Sequence, residues 1–211
     1  MDDRLVTYIQ GSEGLIGYRA KIWKRDAFRF AGYSVFVPPN EEGHPIPRLW
    51  KEMVDDGRIE ALRKASSVPA WIMGLGEFDP GCPPNHWRHT IGIEENEHTD
   101  FRPLTEKYKH PLHRQNFEAC EWMCFEMTNA RFSAFCKDDP YKMLRKLGWR
   151  FHWRVGVHFD SYPPRSETPF YDFAGKSPDA AVEFWISVAK QTEECDACPS
   201  RELCRKTEPF A

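Results

Sequence analysis

Long apolar runs are missing from this 211-residue chain. Stretches such as Ala70–Met73 fall far short of the ~20 residues that cross a bilayer, so no membrane partner is expected. No apolar run follows the acidic start Met1, Asp2, Asp3, so no signal peptide is read there and a cytoplasmic location is expected. Positive charge is not in excess either. The 29 Lys and Arg against 32 Asp and Glu give a net charge of −3, which argues against a nucleic-acid binder working through a general basic field. The cysteines number seven and do not form an even set. Cys120, Cys124 and Cys136 lie inside apolar or periodic segments, which fits reduced thiols better than a disulfide framework. Nucleophile elbow, glycine-rich phosphate loop and His-Glu-x-x-His are all absent.

What the chain does have is rings. Apolar residues make up only 41%, yet 15 Phe, 8 Trp and 7 Tyr bring aromatics to 14%, at a mean hydropathy of −0.65. Rings therefore carry much of the core, or they line something.

Periodicity divides the chain into two similar halves. Residues 28–37 alternate as a strand, and the Pro- and Gly-rich loop after it ends near Pro47. From there Leu49, Trp50, Met53 and Val54 recur at helical spacing, with a break at Gly57 before Ile59 and Leu62. Residues 70–78 and 88–95 read as an antiparallel pair around the turn at 80–84. In the second half, Arg131–Cys136 reads as a strand. Asp138 or Asp139 caps a helix through Pro140, Tyr141, Leu144 and Leu147 that runs past Gly148 toward Trp153. Phe170–Ala174 and Ala180–Ala189 read as two more strands. The order strand, helix, strand, strand occurs twice. The expected fold is α+β: two pseudo-symmetric βαββ units, 27–96 and 121–190, form a curved antiparallel sheet backed by helices, with a central ligand cleft. Residues 1–26 read as an N-terminal extension and 191–211 as a C-terminal tail.

One carboxylate stands out. On a strand from Ala180 to Ala189, Val182, Phe184, Ile186 and Val188 face one side, and Glu183, Trp185 and Ser187 the other. A Glu sharing a face with a Trp on an apolar strand is exposed, paired with Arg131 or Arg154, or placed to meet a cation.

Phe132–Phe135, a helix bearing Trp149 and Trp153, Pro169–Phe173 and Val182–Val188 together resemble the GyrI-like effector-binding domain. That family includes the ligand-binding domains of AraC- and MerR-type multidrug regulators and stand-alone DNA gyrase inhibitor-like proteins. Ser187 stands where the family usually has Pro, and no Glu follows Phe170 directly. The resemblance covers about residues 27–190. It implies two βαββ units around a cleft for flat, often cationic, aromatic molecules, and the family's ligand-contacting Glu falls on Glu183. Rings beside such a carboxylate attract hydrophobic cations, and the expected walls are Trp185, Trp153, Trp149, Tyr33 and Phe173. His89 is the expected pseudo-symmetric counterpart of Glu183.

The expected function is that of a stand-alone small-molecule-binding protein that needs no cofactor in its main domain. A second reading is a hydrolase of cyclopropane-containing genotoxic compounds, with Glu183 activating water, since some GyrI-like proteins have that activity; whether the chain is an enzyme stays open. The ~26 residues ahead of the first domain strand contain Gly11, Gly14 and Gly17 and leave no room for a helix-turn-helix, so direct DNA binding is not expected. No His stands out as a haem ligand. In the tail, Cys195, Cys198 and Cys204 have Cys-x2-Cys-x5-Cys spacing, which can contribute to a zinc or iron–sulfur site. A complete site needs a fourth ligand, such as Cys82 or a His; without one the thiols are idle.

Overall fold

The computed structural model describes residues 3–9, 18–38, 45–67, 70–77, 81–152, 157–162 and 181–190. In chain order these form β1 (Asp3–Ile9), β2 (Tyr18–Arg25), β3 (Phe28–Val37), α1 (Pro45–Asp55), α2 (Arg58–Ala65), β4 (Ile72–Glu77) and β5 (Trp87–Glu95). There follow α3 (Arg102–Lys107), β6 (His113–Phe117), β7 (Cys120–Thr128), α4 (Asn129–Lys137), α5 (Pro140–Lys146), β8 (Trp149–Phe151), β9 (Val157–Tyr162) and β10 (Ala181–Lys190). The strands pair antiparallel in one sheet of order β1-β2-β7-β10-β9-β4-β5-β3-β6, with β8 on β10. From the β9/β4 seam outward the order is β4-β5-β3 on one side and β9-β10-β7 on the other. The doubled βαββ pattern is thus folded as two like halves, with β3 and β7 as the first strand of each.

Two short connectors fix the shape of this sheet. Residues 26–27 join β2 to β3, and residues 118–119 join β6 to β7. In each case the joined strands stand six positions apart in the sheet. A flat sheet would separate them by roughly 29 Å, whereas two intervening residues bridge at most about 11 Å. The sheet therefore curls until its halves meet. Phe28 of β3 lies 5.9 Å, ring centre to ring centre, from Trp122 of β7, which stands five positions away in the sheet.

Curling separates a convex from a concave face, and aromatics pack on both. On the convex face Leu49, Trp50 and Met53 of α1 and Ile59 and Leu62 of α2 cover Ala31, Tyr33, Ile91 and Ile93. Phe135 of α4 and Met143 and Leu144 of α5 cover Met123, Phe125, Phe184, Ile186 and Val188. The concave face holds Phe28, Phe30, Met73, Leu75, Phe117, Trp122, Val157 and Phe159, with Trp185 packed against them. Gly32 and Gly92 stand opposite each other in the β3/β5 pair, so close that a Cβ on Gly32 would lie 2.2 Å from the Ile91 carbonyl oxygen.

Several sequence expectations are corrected. Arg131–Cys136 lies in α4, not a strand. Phe132 and Phe135 are three apart and fit a helical face, and a short apolar run does not distinguish the two periods. Helix α5 is capped by the Asp139 carboxylate, which accepts from the Tyr141 and Lys142 amides, but it stops at Lys146. Gly148 then adopts φ +76°, a left-handed turn that ends a helix, and Trp149 belongs to β8. Within residues 1–26, β1 and β2 join the same sheet, and the join between the units carries α3 and β6. The expected strand Phe170–Ala174 lies outside the described residues.

Candidate functional site

Alternation along β10 places Val182, Phe184, Ile186 and Val188 against the helices, so Glu183 and Trp185 face the concave side. Cross-strand register adds their neighbours. Trp185 stands opposite Cys124 of β7 and Phe159 of β9, and Glu183 stands opposite Glu126 of β7. One strand further out, β2 places Lys21 beside Cys124 and Trp23 beside Trp122.

The site is built around charge among rings. Glu183 Oε2 accepts a 2.9 Å hydrogen bond from Trp185 Nε1. The Trp185 ring stacks on Phe159 at 5.6 Å and 16° and lies 6.1 Å from Trp23. Burial raises the Glu183 pKa and Glu126 adds to the rise, while the Trp185 hydrogen bond, Lys21 and Arg25 work against it. Lys21 pairs with Glu126 at 2.6 Å and sits 5.6 Å from the Trp23 ring centre. Glu183, Trp185, Trp23, Lys21 and Glu126 are all half-buried. Deeper in, the buried Nε1 atoms of Trp23 and Trp122 have no acceptor among the described residues.

The other expected site residues lie elsewhere. Tyr33 is on the convex face, 2% exposed beneath α1 and α2. It borders a cavity of about 260 Å³ with Leu49, Arg58 and His110, and burial raises its pKa. Trp149 packs on the second convex core. Trp153, Phe173, Cys195, Cys198 and Cys204 lie outside the described residues. His89 shares the face of Ile91 and Ile93, so it points away from Glu183 and is not its counterpart. Among the described residues no group of three His, Cys, Asp or Glu side chains is placed to hold a metal ion, and no helix is long and apolar enough to cross a membrane.

His89 belongs to a separate convex cluster at the β4/β9 seam. Gly74 and Gly76 leave room there: a Cβ on Gly74 would meet Asp160 Oδ1 at 2.8 Å and His89 Cε1 at 3.0 Å, and one on Gly76 would meet His158 Nε2 at 2.5 Å. His158 Nδ1 lies 2.8 Å from the Tyr141 hydroxyl, and its ring stacks on Phe184. Burial lowers the His158 pKa to about 4, against ~6.5 in an unfolded chain. Between those values the unfolded chain binds a proton that the folded one does not. Stability is therefore full above pH ~6.5 and falls by up to about 1.4 kcal/mol per unit as pH drops toward 4. Urea midpoints at pH 7 and pH 5 should show this fall, and His158→Gln should reduce it; an equal fall in the variant would assign it to other groups.

The sequence reading missed Trp23, Lys21, Arg25, Glu126 and Phe159. Two signals were present: Tyr18, Ala20 and Ile22 alternate with Lys21 and Trp23, and Trp122, Cys124 and Glu126 share one parity.

No family model matches the sequence, and no curated protein matches it. Solved structures do match. The structure of SAV2435 bound to tetraphenylphosphonium has a TM-score of 0.58 at 14% identity, with 82% of this chain and 94% of that chain covered. A bacterial transcription regulation protein from Staphylococcus aureus MU50 has 0.56 at 13%, covering 82% and 99%. A hydrolase encoded by lin2189 from Listeria innocua is more distant, at 0.44 and 8%, covering 87% and 94%. The fold of the chain is that of the GyrI-like effector-binding domains.

Proposed function

We propose that this chain is a small-molecule-binding protein that takes a flat, hydrophobic organic cation on the concave face of its sheet. Glu183 is the counter-charge, and Trp185 and Trp23 are the walls. The observation that carries the reading is the Glu183 carboxylate, held half-buried by an indole N–H on a floor of rings. Ring faces attract cations most strongly where water is partly excluded, and a carboxylate there adds a charge pair. Such a surface fixes charge and flatness but few directional bonds, which suits ligands of varied shape. The binding of tetraphenylphosphonium, a hydrophobic though tetrahedral cation, by SAV2435, a protein of the same fold, supports the choice of a hydrophobic cation. The experiment is a titration of tetraphenylphosphonium followed by Trp fluorescence, in wild type and Glu183→Gln. Saturable quenching in wild type and weaker binding in the variant are expected.

Hydrolysis is the second reading, and one observation favours it. Sequence offered Glu183 without a partner, whereas the fold sets Glu126 directly opposite. Paired carboxylates with one pKa raised are the arrangement that general acid–base chemistry uses. If the site only binds, incubation with a cyclopropane-bearing alkylator should yield no ring-opened product above the protein-free rate. Product formation that Glu183→Gln removes would establish catalysis.

A further inference from the structure

The inner part of the concave face already holds a cation, and it belongs to the chain itself. Arg25, the last residue of β2, turns its guanidinium inward. Its carbon lies 4.3 Å from the ring centre of Phe28, 5.5 Å from Phe159, 5.5 Å from Trp185 and 5.9 Å from Trp122. These four rings come from four strands, β3, β9, β10 and β7, and all fall within the ~6 Å over which ring faces attract a cation. Arg25 Nη2 also donates to Glu94 Oε2 at 2.7 Å, and the Arg25 side chain is only 16% exposed. Arg25 acts on Glu183 through its charge, yet the hydrogen bond that Glu183 accepts comes from Trp185. The cage is therefore shaped around a planar, delocalised cation, with a second carboxylate close by that this cation does not bond.

A guanidinium stacks on rings and donates in a fixed planar fork, and an amidinium shares both properties. We propose that the cage recognises the head group of an aryl guanidine or amidine, that Arg25 is its internal stand-in, and that such a ligand binds by displacing the Arg25 side chain. This inference rests on the concave-face reading above and narrows its ligand class. Displacement exchanges one cation for another of like shape, so the rings keep a partner throughout. The incoming group gains access to Glu183, and the Arg25 side chain moves to solvent. Wild-type affinity is reduced because ligand and Arg25 compete for the same cage.

The test uses the full chain and two probes, benzamidinium and tetraphenylphosphonium, with Trp fluorescence as readout and neutral benzamide as control. Arg25→Ala empties the cage, and Glu94→Gln removes the ion pair that holds Arg25 in it. Benzamidinium should bind Arg25→Ala at least tenfold more tightly than wild type and Glu94→Gln several-fold more tightly, while benzamide binds none of them. Should Arg25→Ala fail to fold, Glu94→Gln decides alone. Benzamidinium binding that neither variant improves, with tetraphenylphosphonium still bound by wild type, overturns the Arg25 inference and leaves the concave-face reading standing. Failure of both probes to bind wild type and both variants overturns both.

Discussion

Glu183→Gln is expected to weaken tetraphenylphosphonium binding about tenfold at pH 7, equivalent to roughly 1.4 kcal/mol. The substitution keeps shape and removes charge, so what it reads is the charge pair alone. In bulk water such a pair contributes little. Here the carboxylate is half-buried beside Trp185, where screening is weaker and the loss correspondingly larger. The pH profile gives a second readout. Burial raises the Glu183 pKa above the ordinary carboxylate value, and only the ionised form attracts a cation. Wild-type affinity should therefore fall as pH drops through that raised value, whereas the variant should be flat over the same range. Equal affinities and parallel profiles would remove Glu183 from the site.

Gly32→Ala should be among the most damaging substitutions in the chain. The added Cβ would lie 2.2 Å from the Ile91 carbonyl oxygen and 2.6 Å from the Gly92 Cα. Both are backbone atoms of the paired strand, and they cannot turn aside as the end of a long side chain can. Overpacking ordinarily costs 1–3 kcal/mol, and a backbone clash belongs at the top of that range, about 3 kcal/mol. For a chain of this size that is a fall of roughly 6–12 °C in Tm. Gly148→Ala provides the contrast. Its Cβ would meet nothing within 4 Å, and its cost comes only from the φ of +76°, about 1 kcal/mol. A Gly32→Ala protein as stable as wild type would mean that β3 and β5 do not approach as described.

Much of the fold was legible because its strands obey a simple period. Residues 28–37 are β3 to the residue, and the glycine break at 57 separates α1 from α2. The same local physics offered Asp138 or Asp139 as a helix cap, and the cap is Asp139. The face of Glu183 and Trp185 was also legible, since alternation alone separates them from Val182 and Phe184. What could not be read was closure. The two connectors are ordinary dipeptides, Asp26-Ala27 and Glu118-Ala119. Their significance appears only once the strands they join are known to stand six positions apart. That closure brings Arg25, on a segment read as an extension, among rings from four other strands. His89 shows the converse. One residue of parity decides which face a side chain serves, and a correspondence guessed between two halves carries no parity with it. The helix at 129–137 was missed because a short apolar run does not by itself separate strand from helix; Phe132 and Phe135, three apart, share a face only in a helix, and both pack on Phe184.

The composition that singles this chain out, many rings and few aliphatics, divides between two structural roles. Tyr33, Trp50, Phe125 and Phe135 fill the convex cores beneath the helices. Trp23, Trp122, Phe159 and Trp185 line the concave face, where Arg25 and Glu183 sit among them. Placement of the ligand tests that division most directly. In a crystal structure of the chain with tetraphenylphosphonium, the phosphonium should lie on the concave face, within about 6 Å of the Trp185 ring, with Glu183 as its nearest carboxylate. A phosphonium bound on the convex face instead, beside His89 and Asp160 at the β4/β9 seam, would contradict it.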